Sequence, residues 1–212
     1  RMLGTLFAVH SDEKGLIIPP KMALNQVVIV PILFEDSKKK VLDEAEKIAK
    51  ELEEFSALVD SRENYKPGFK FNEWELRGVP VRIEIGPKDI EKKKVVVVRR
   101  DNGEKKEVAT KDVKKVVSGI LDEIQQALYK KSEKLFKSKV EKVSKLAELK
   151  KLIENKKVGI VPMCKKSECE EGMKFETKGA KAVFISEDKV GKEKCIICGE
   201  QADYLVYAGK TY

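Results

Sequence analysis

All four cysteines of the chain lie in its last quarter, as two close pairs, Cys164 with Cys169 and Cys195 with Cys198. The first pair reads C-K-K-S-E-C and the second C-I-I-C, and a polar stretch rich in Lys and Glu joins them. Two short-spaced pairs on one connecting segment bring four thiolates to a single tetrahedral metal. Each pair is expected to fold as a small knuckle, and the connection carries the chain back to close the tetrahedron. No histidine lies nearby, so the ligands are four sulfurs, a closed site with no position for substrate. The last quarter is therefore expected to be a small unit built round a structural metal. Spacing leaves zinc and an iron–sulfur cluster both open, since each takes four thiolates. Two disulfides would need an oxidising compartment, and no hydrophobic signal segment is present, so a cytoplasmic location is expected. A thiol-redox role for Cys195 and Cys198 alone leaves Cys164 and Cys169 unexplained.

At 212 residues, one to two domains are expected. No stretch approaches the roughly 18 apolar residues of a membrane span. Lys and Arg total 44 against 36 Asp and Glu, a formal charge of +8. Most of that surplus is local: residues 131–157 hold ten Lys and four Glu. Such a patch suits a polyanion such as nucleic acid. It equally suits a solvated helix face in a heat-adapted protein, where Lys and Glu are both enriched. The chain opens Arg-Met-Leu-Gly and runs straight into an apolar helical pattern, which reads as the C-terminal part of something longer.

Residues 1–22 read as a helix, a short strand and a proline stop at Pro19 and Pro20. The apolar run at 26–34 suits a buried strand. Val41, Ala45, Ile48, Leu52 and Phe55 then repeat at helical spacing, and residues 57–60 suit a second strand, so a βαβ start with parallel pairing is expected. Val79, Val81, Ile83 and Ile85 alternate with Arg82 and Glu84, a strand with one polar face. Residues 95–98 and 106–108 form a hairpin across Asp101-Asn102-Gly103. Val116, Val117, Ile120, Leu121, Ile124 and Leu128 mark a long amphipathic helix. The expected class is α/β: a mixed sheet flanked by helices, followed by a small α/β unit. The expected divisions are 1–22, 23–130, a basic helical connection at 131–157, and 158–212 with strands near 158–161, 182–185 and 204–207.

Arg82 and Glu84 project from one strand face, and Glu75, Lys88 and Asp89 are expected in flanking loops. Carboxylates and cations on a sheet rim can read base edges, the acid accepting from amino groups and the cation donating to guanine. The same residues also suit a solvated face with loose ion pairs. Trp74 and the group of Tyr65, Phe69 and Phe71 can stack on exposed bases, although aromatics beside a Pro-Gly turn more often anchor a loop in the core. His10, the single histidine, has no serine or cysteine placed beside it by the sequence and reads as structural. There is no P-loop and no G-x-G-x-x-G.

The block from Asn64 to Asp89, N-Y-K-P-G-F-K-F-N-E-W-E-L-R-G-V-P-V-R-I-E-I-G-P-K-D, resembles the anticodon-binding domain of prolyl-tRNA synthetases. G-L-I-I-P-P at residues 15–20 resembles that family's exit from its catalytic domain. The paired cysteines and terminal Tyr212 resemble the C-terminal zinc-binding domain of its archaeal and eukaryotic-type members. The resemblance runs from Arg1 to Tyr212, and it implies roles at matching positions. Arg1 matches the motif 3 arginine of class II synthetases, which stacks on the ATP adenine. Glu75, Arg82, Lys88 and Asp89 match residues that read the two guanines of the proline anticodon. Cys164, Cys169, Cys195 and Cys198 match zinc ligands, and Tyr212 matches a C-terminal residue whose carboxylate reaches toward the catalytic domain. The implied parent is a proline–tRNA ligase that uses ATP with Mg2+, proline and proline tRNA and dimerises through its catalytic domain. Motifs 1 and 2 and the proline pocket do not occur in these residues, so the segment alone is expected to be inactive. The alternative is a stand-alone, non-catalytic RNA-binding zinc protein.

Overall fold

The periodicities of the sequence resolve, in a computed structural model that describes residues 1–210, into two units, Arg1–Ser132 and a second from Glu133 onward. The first begins with helix α1 (Met2–Val9) and a short hairpin of β1 (Ser11–Asp12) and β2 (Gly15–Leu16). Strand β3 (Val27–Pro31) is buried at every residue, as expected of a central strand covered on both faces. Helix α2 (Lys38–Glu51) follows, burying Val41, Ala45 and Ile48, and leads to β4 (Leu58–Val59), which pairs parallel to β3. Helix α3 (Pro67–Arg77) crosses to β5 (Val81–Ile85), also parallel to β3. After the short helix α4 (Pro87–Glu91), β6 (Lys94–Arg99) and β7 (Lys105–Ala109) add antiparallel, and α5 (Val113–Lys139) closes the unit and runs past its boundary. The sheet order is β4-β3-β5-β6-β7. One face, with Val27, Ile29, Ile83 and Val97, packs on α2 and α5. The other, with Val28 and Val30, packs on Trp74 of α3. Helices thus cover both faces, and α/β with a mixed sheet is the observed class.

Residues 65–76 are the main departure from expectation in this unit. They are not an anchoring loop: α3 begins at Pro67, whose ring presets φ and whose missing N–H is no loss in a first turn. Lys70 and Trp74, four apart, are the pair it buries. The helix ends at Gly78, with φ of +78°, a conformation glycine adopts without a Cβ penalty. Gly78 also lies so close to Leu16 that an added Cβ would sit 2.6 Å from that residue's backbone. Glu75 is therefore helical, and Lys88 and Asp89 lie on α4; none of the three is in a loop. Residues 1–22 fall within this first unit. Ile17 joins its core, and Arg100 grips Asp12 through two hydrogen bonds of 2.8 and 2.7 Å.

The second unit contains β8 (Val140–Lys142), α6 (Leu146–Glu154), β9 (Val158–Met163), α7 (Ser167–Glu176), β10 (Ala180–Ile185) and β11 (Tyr204–Lys210). Its sheet order is β10-β11-β9-β8, with β8 parallel to β9 and the other pairs antiparallel. The stretch assigned to a basic connection, 131–157, is thus only partly connection. Its last part is a strand and a helix that bury Leu149, Leu152 and Ile153. The lysine surplus masks that apolar stripe. Gly159 admits the helix: a Cβ there would stand 2.6 Å from the Leu149 Cδ1. Among the described residues no helix is long and apolar enough to cross a membrane. Tyr212 lies outside the described residues.

Candidate functional site

Strand periodicity places Arg82 and Glu84, two apart, on the same face of β5, beneath the flank of α3. There Arg82 donates from Nε and a terminal nitrogen to one Glu84 oxygen at 3.1 and 2.9 Å, and a third N–H reaches the Phe71 carbonyl at 3.4 Å. Its guanidinium carbon lies 4.6 Å from the centre of the Phe71 ring. Both side chains of the pair are only 12% and 11% exposed, so this is not a loose surface pair. Lys105 approaches the same Glu84 oxygen at 3.6 Å. A guanidinium has five N–H donors; three of them are engaged among the described residues.

Glu75 lines one small crevice with Arg82, Trp74, Val79 and Arg100. Its carboxylate accepts from Lys14 at 3.1 Å, while its backbone carbonyl accepts from Arg100 at 2.7 Å. Lys88 and Asp89 sit instead beyond the C-terminal end of β5. Lys88 is exposed and, among the described residues, makes no ion pair. Asp89 accepts the Gly86 N–H at 2.8 Å and so holds the first turn of α4. The structure thus joins Glu75 with Arg82 and sets Lys88 and Asp89 apart, along the same strand. Carboxylates and cations at one sheet rim can together donate to and accept from base edges.

A second set of residues went unrecognised in the sequence. Asp60, at the end of β4, is 4% exposed and receives the Trp74 indole N–H at 2.8 Å and two Arg62 N–H groups at 2.8 and 2.7 Å. Lys70, 2% exposed, donates to its backbone carbonyl at 2.9 Å and stands 3.7 Å from its carboxylate. Burial alone would push the Asp60 carboxyl up, but the Arg62 and Trp74 hydrogen bonds and the Lys70 charge hold it down at about 2. Arg62 continues to Glu73 at 2.6 Å, and Glu73 to Arg77 at 2.6 Å. This network fixes the inner face of α3, the helix that carries Phe71 and Glu75. The available signal was an aspartate ending an apolar strand; the lysine and tryptophan it pairs with are ten and fourteen residues on.

In the second unit the four sulfurs converge, all within 4.8 Å of one another. Cys164 follows the last residue of β9 and Cys169 lies in the first turn of α7, so this pair is a strand-to-helix corner rather than a knuckle. Cys195 to Cys198 is a tight turn that returns through Gly199 at φ of +74°. It is tied to β9 by the Ile196 N–H bonding the Pro162 carbonyl at 3.0 Å. The Cys164 and Cys198 sulfurs are 3.8 Å apart. That is the edge of a tetrahedron with metal–sulfur bonds of about 2.3 Å, roughly 1.6 times the bond length, and far beyond the roughly 2 Å of a disulfide. Burial pushes the Cys164 and Cys169 thiols up. Burial also opposes ionisation of Cys195, yet backbone N–H groups of Cys198 and Ile197 bring it down to about 7. Backbone donors aimed at sulfur favour the thiolate a metal needs. The donor set fits a closed four-sulfur metal centre.

Arg1 is exposed at the start of α1. His10 does meet a serine, Ser132 Oγ at 3.2 Å from Nε2. Its Nδ1 is buried and has no hydrogen-bond partner among the described residues, so none of these supplies the third group that orients the ring in a nucleophilic triad.

A model of the anticodon binding domain matches residues 26–120, and one of the prolyl-tRNA synthetase C-terminal domain matches residues 146–212. The chain is similar from end to end to proline–tRNA ligase 2 of Bacillus cereus, 39% identical over 213 residues, which cover 100% of this chain and 44% of that relative. It is 40% identical over 206 residues to the proline–tRNA ligase of Natranaerobius thermophilus, covering 96% of this chain and 42% of the relative. With the enzyme of that name from Alkaliphilus oremlandii the identity is 38% over 215 residues, 100% and 44% of the two chains. The chain therefore spans less than half the length of these relatives.

Proposed function

We infer that this chain, which belongs to the prolyl-tRNA synthetase family, supplies the tRNA-recognising C-terminal part of a proline–tRNA ligase. The parent enzyme joins proline to ATP, releasing pyrophosphate, and passes the prolyl group from the adenylate to the tRNA 3′ end, releasing AMP. The observation that carries this reading is the order of the two matched domains in a chain that aligns end to end with proline–tRNA ligases. In it the first unit reads the anticodon. Arg82 donates from its guanidinium to a guanine edge, and Glu75 accepts from a base amino group in the same crevice. Lys88 and Asp89 address the neighbouring base at the end of β5. Arg82 is preorganised by Glu84 and Phe71, so little side-chain entropy is lost on binding.

The four cysteines hold one Zn2+, which supplies structure and no chemistry, since four thiolates leave no open position. With zinc bound, Cys164 and Cys169 would hold the corner after β9 and Cys195 and Cys198 the turn packed against it; Tyr212, outside the described residues, keeps the role its resemblance implies, a carboxylate directed to the catalytic part. Residues 1–22 are the end of that catalytic part, and Arg1 stacks on the adenine of its ATP. Dimerisation through the catalytic part and a cytoplasmic location belong to the same proposal.

The test compares proline tRNA with a transcript whose anticodon guanines are replaced, using wild type, Lys88→Ala and Arg82→Ala. Lys88 is the cleaner probe, because it is exposed and makes no ion pair among the described residues. Each variant should reduce discrimination by about 1–3 kcal/mol. Equal binding of both transcripts by the wild-type chain would sink the anticodon reading.

A further inference from the structure

The aromatic residues of the 65–71 stretch divide in the fold, and the exposed members are not used by the anticodon rim. Phe71 turns toward Arg82. Phe69, in the first turn of α3, and Tyr65, just ahead of that helix, are 51% and 44% exposed, their rings stacked at 4.7 Å and 13°. The Arg62 guanidinium stands 5.0 Å from the Tyr65 centroid. Tyr65 lines a crevice of about 360 Å³ with Phe34, which is 62% exposed. That volume falls in the range of small-ligand pockets.

The crevice has a definite place in the topology. It opens at the C-terminal end of β3, where the chain leaves for α2 on one face and returns from β4 through α3 on the other. In open α/β sheets, ligands bind at such a switch point. Lys66 and Pro67 bring the N-terminal, positive end of α3 to its wall. Among its charged walls, Lys38 is neutralised by Glu63 at 2.6 Å, Arg62 and Lys70 are engaged with Asp60, and Glu35 adds a negative charge. Lys66 remains without an ion pair among the described residues. The crevice thus offers two exposed aromatic surfaces and, in Lys66, a cation to set against a phosphate. That combination matches one nucleotide of single-stranded RNA, its base on the rings and its phosphate at the lysine. The sheet register sets Pro31, at this end of β3, beside Ile85 at the end of β5. Lys88 and the crevice therefore occupy the same end of adjacent strands.

We propose that the crevice between Phe34 and Tyr65 takes an unpaired nucleotide of the tRNA anticodon loop next to the bases that are read, by stacking and without choosing among bases. The inference rests on the anticodon reading above and extends it to a second kind of contact. Stacking surfaces accept any base, since every base has a π-face. The crevice raises affinity, and the rim supplies discrimination.

The experiment measures dissociation constants of the full chain for proline tRNA and for the guanine-substituted transcript. The variants are Tyr65→Ala, Phe34→Ala, Tyr65→Phe and Lys88→Ala. Tyr65→Ala and Phe34→Ala should each weaken binding of both transcripts by the same factor, about 5- to 150-fold, leaving their ratio unchanged. Tyr65→Phe should bind as wild type, because the ring is kept. A 2-aminopurine in the loop beside the anticodon should lose its fluorescence quenching in Tyr65→Ala. Unchanged affinity in both alanine variants, with discrimination still lost in Lys88→Ala, overturns the crevice and leaves the anticodon reading intact. A wild-type chain that does not distinguish the transcripts overturns the reading itself, and the crevice proposal falls with it.

Discussion

Asp60 allows a stability prediction that bears directly on function, because the helix it holds carries Phe71 and Glu75. Its carboxyl is held at about 2, against 3.8 for an unperturbed group. That difference corresponds to about 2 kcal/mol of stability at neutral pH. Since the folded value is the lower one, the contribution is complete above the unfolded value of 3.8. It fades as pH falls through about 2, where both states are protonated. Asp60→Asn keeps an acceptor for the Trp74 indole but removes the charge, so it should cost about 2 kcal/mol at pH 7. Asp60→Ala also leaves the buried Lys70 ammonium and the indole short of partners, and should cost about 3–5 kcal/mol. Adding Lys70→Met to Asp60→Ala should recover part of that loss, the mark of coupled groups. Trp74 is the single tryptophan of the chain, so urea unfolding followed by its emission reports the first unit alone. The stability gap between wild type and Asp60→Asn should close between about pH 4 and pH 2. A gap under about 0.5 kcal/mol at pH 7, the range of an ordinary surface change, would refute the reasoning, as would a gap that does not respond to acid.

Metal analysis should find one zinc per chain, and cobalt exchanged into the site should give the thiolate charge-transfer absorption of a tetrahedral four-sulfur centre. Iron with acid-labile sulfide would replace zinc by a cluster, and four free thiols without metal would abolish the centre. Chelation should lower the melting of the second unit while Trp74 emission holds steady. Lys134, Lys139 and Lys145 are exposed and carry no ion pair among the described residues. Neutralising them should weaken binding of both tRNA transcripts evenly and flatten the salt dependence by about one unit of slope for each phosphate left without its lysine. A change in base discrimination would instead place these lysines among the reading residues.

Local pattern is a sound guide where a residue's partner is near in sequence. The strand at β3, helix α2 and the hairpin at Gly103 each follow from a repeat or a turn within a few residues. That Arg82 and Glu84 share one face of β5 follows from strand period alone. Residues 65–76 were harder, because a Pro-Gly pair reads as a turn and the buried members of the helix include a lysine. Lys70 is inside only because Asp60, just past the end of β4, meets it there. The lysines of residues 140–157 hid strand β8 and the buried face of α6 in the same way, since the apolar stripe is short and the strand the helix packs on lies beyond it.

By itself the sequence determined the α/β class, the two-part organisation in outline and the four-cysteine set, since each depends on residue type and spacing. Spacing could not say that Cys164 and Cys169 flank a strand-to-helix corner. Only the tertiary structure decided that Glu75 and Arg82 share a crevice while Lys88 and Asp89 stand apart. It alone set Phe34 and Tyr65 on one crevice and buried the Asp60 network. The reason is physical: these groups meet through strand pairing and helix packing, whose geometry is set by the core as a whole and is encoded at no single stretch of chain.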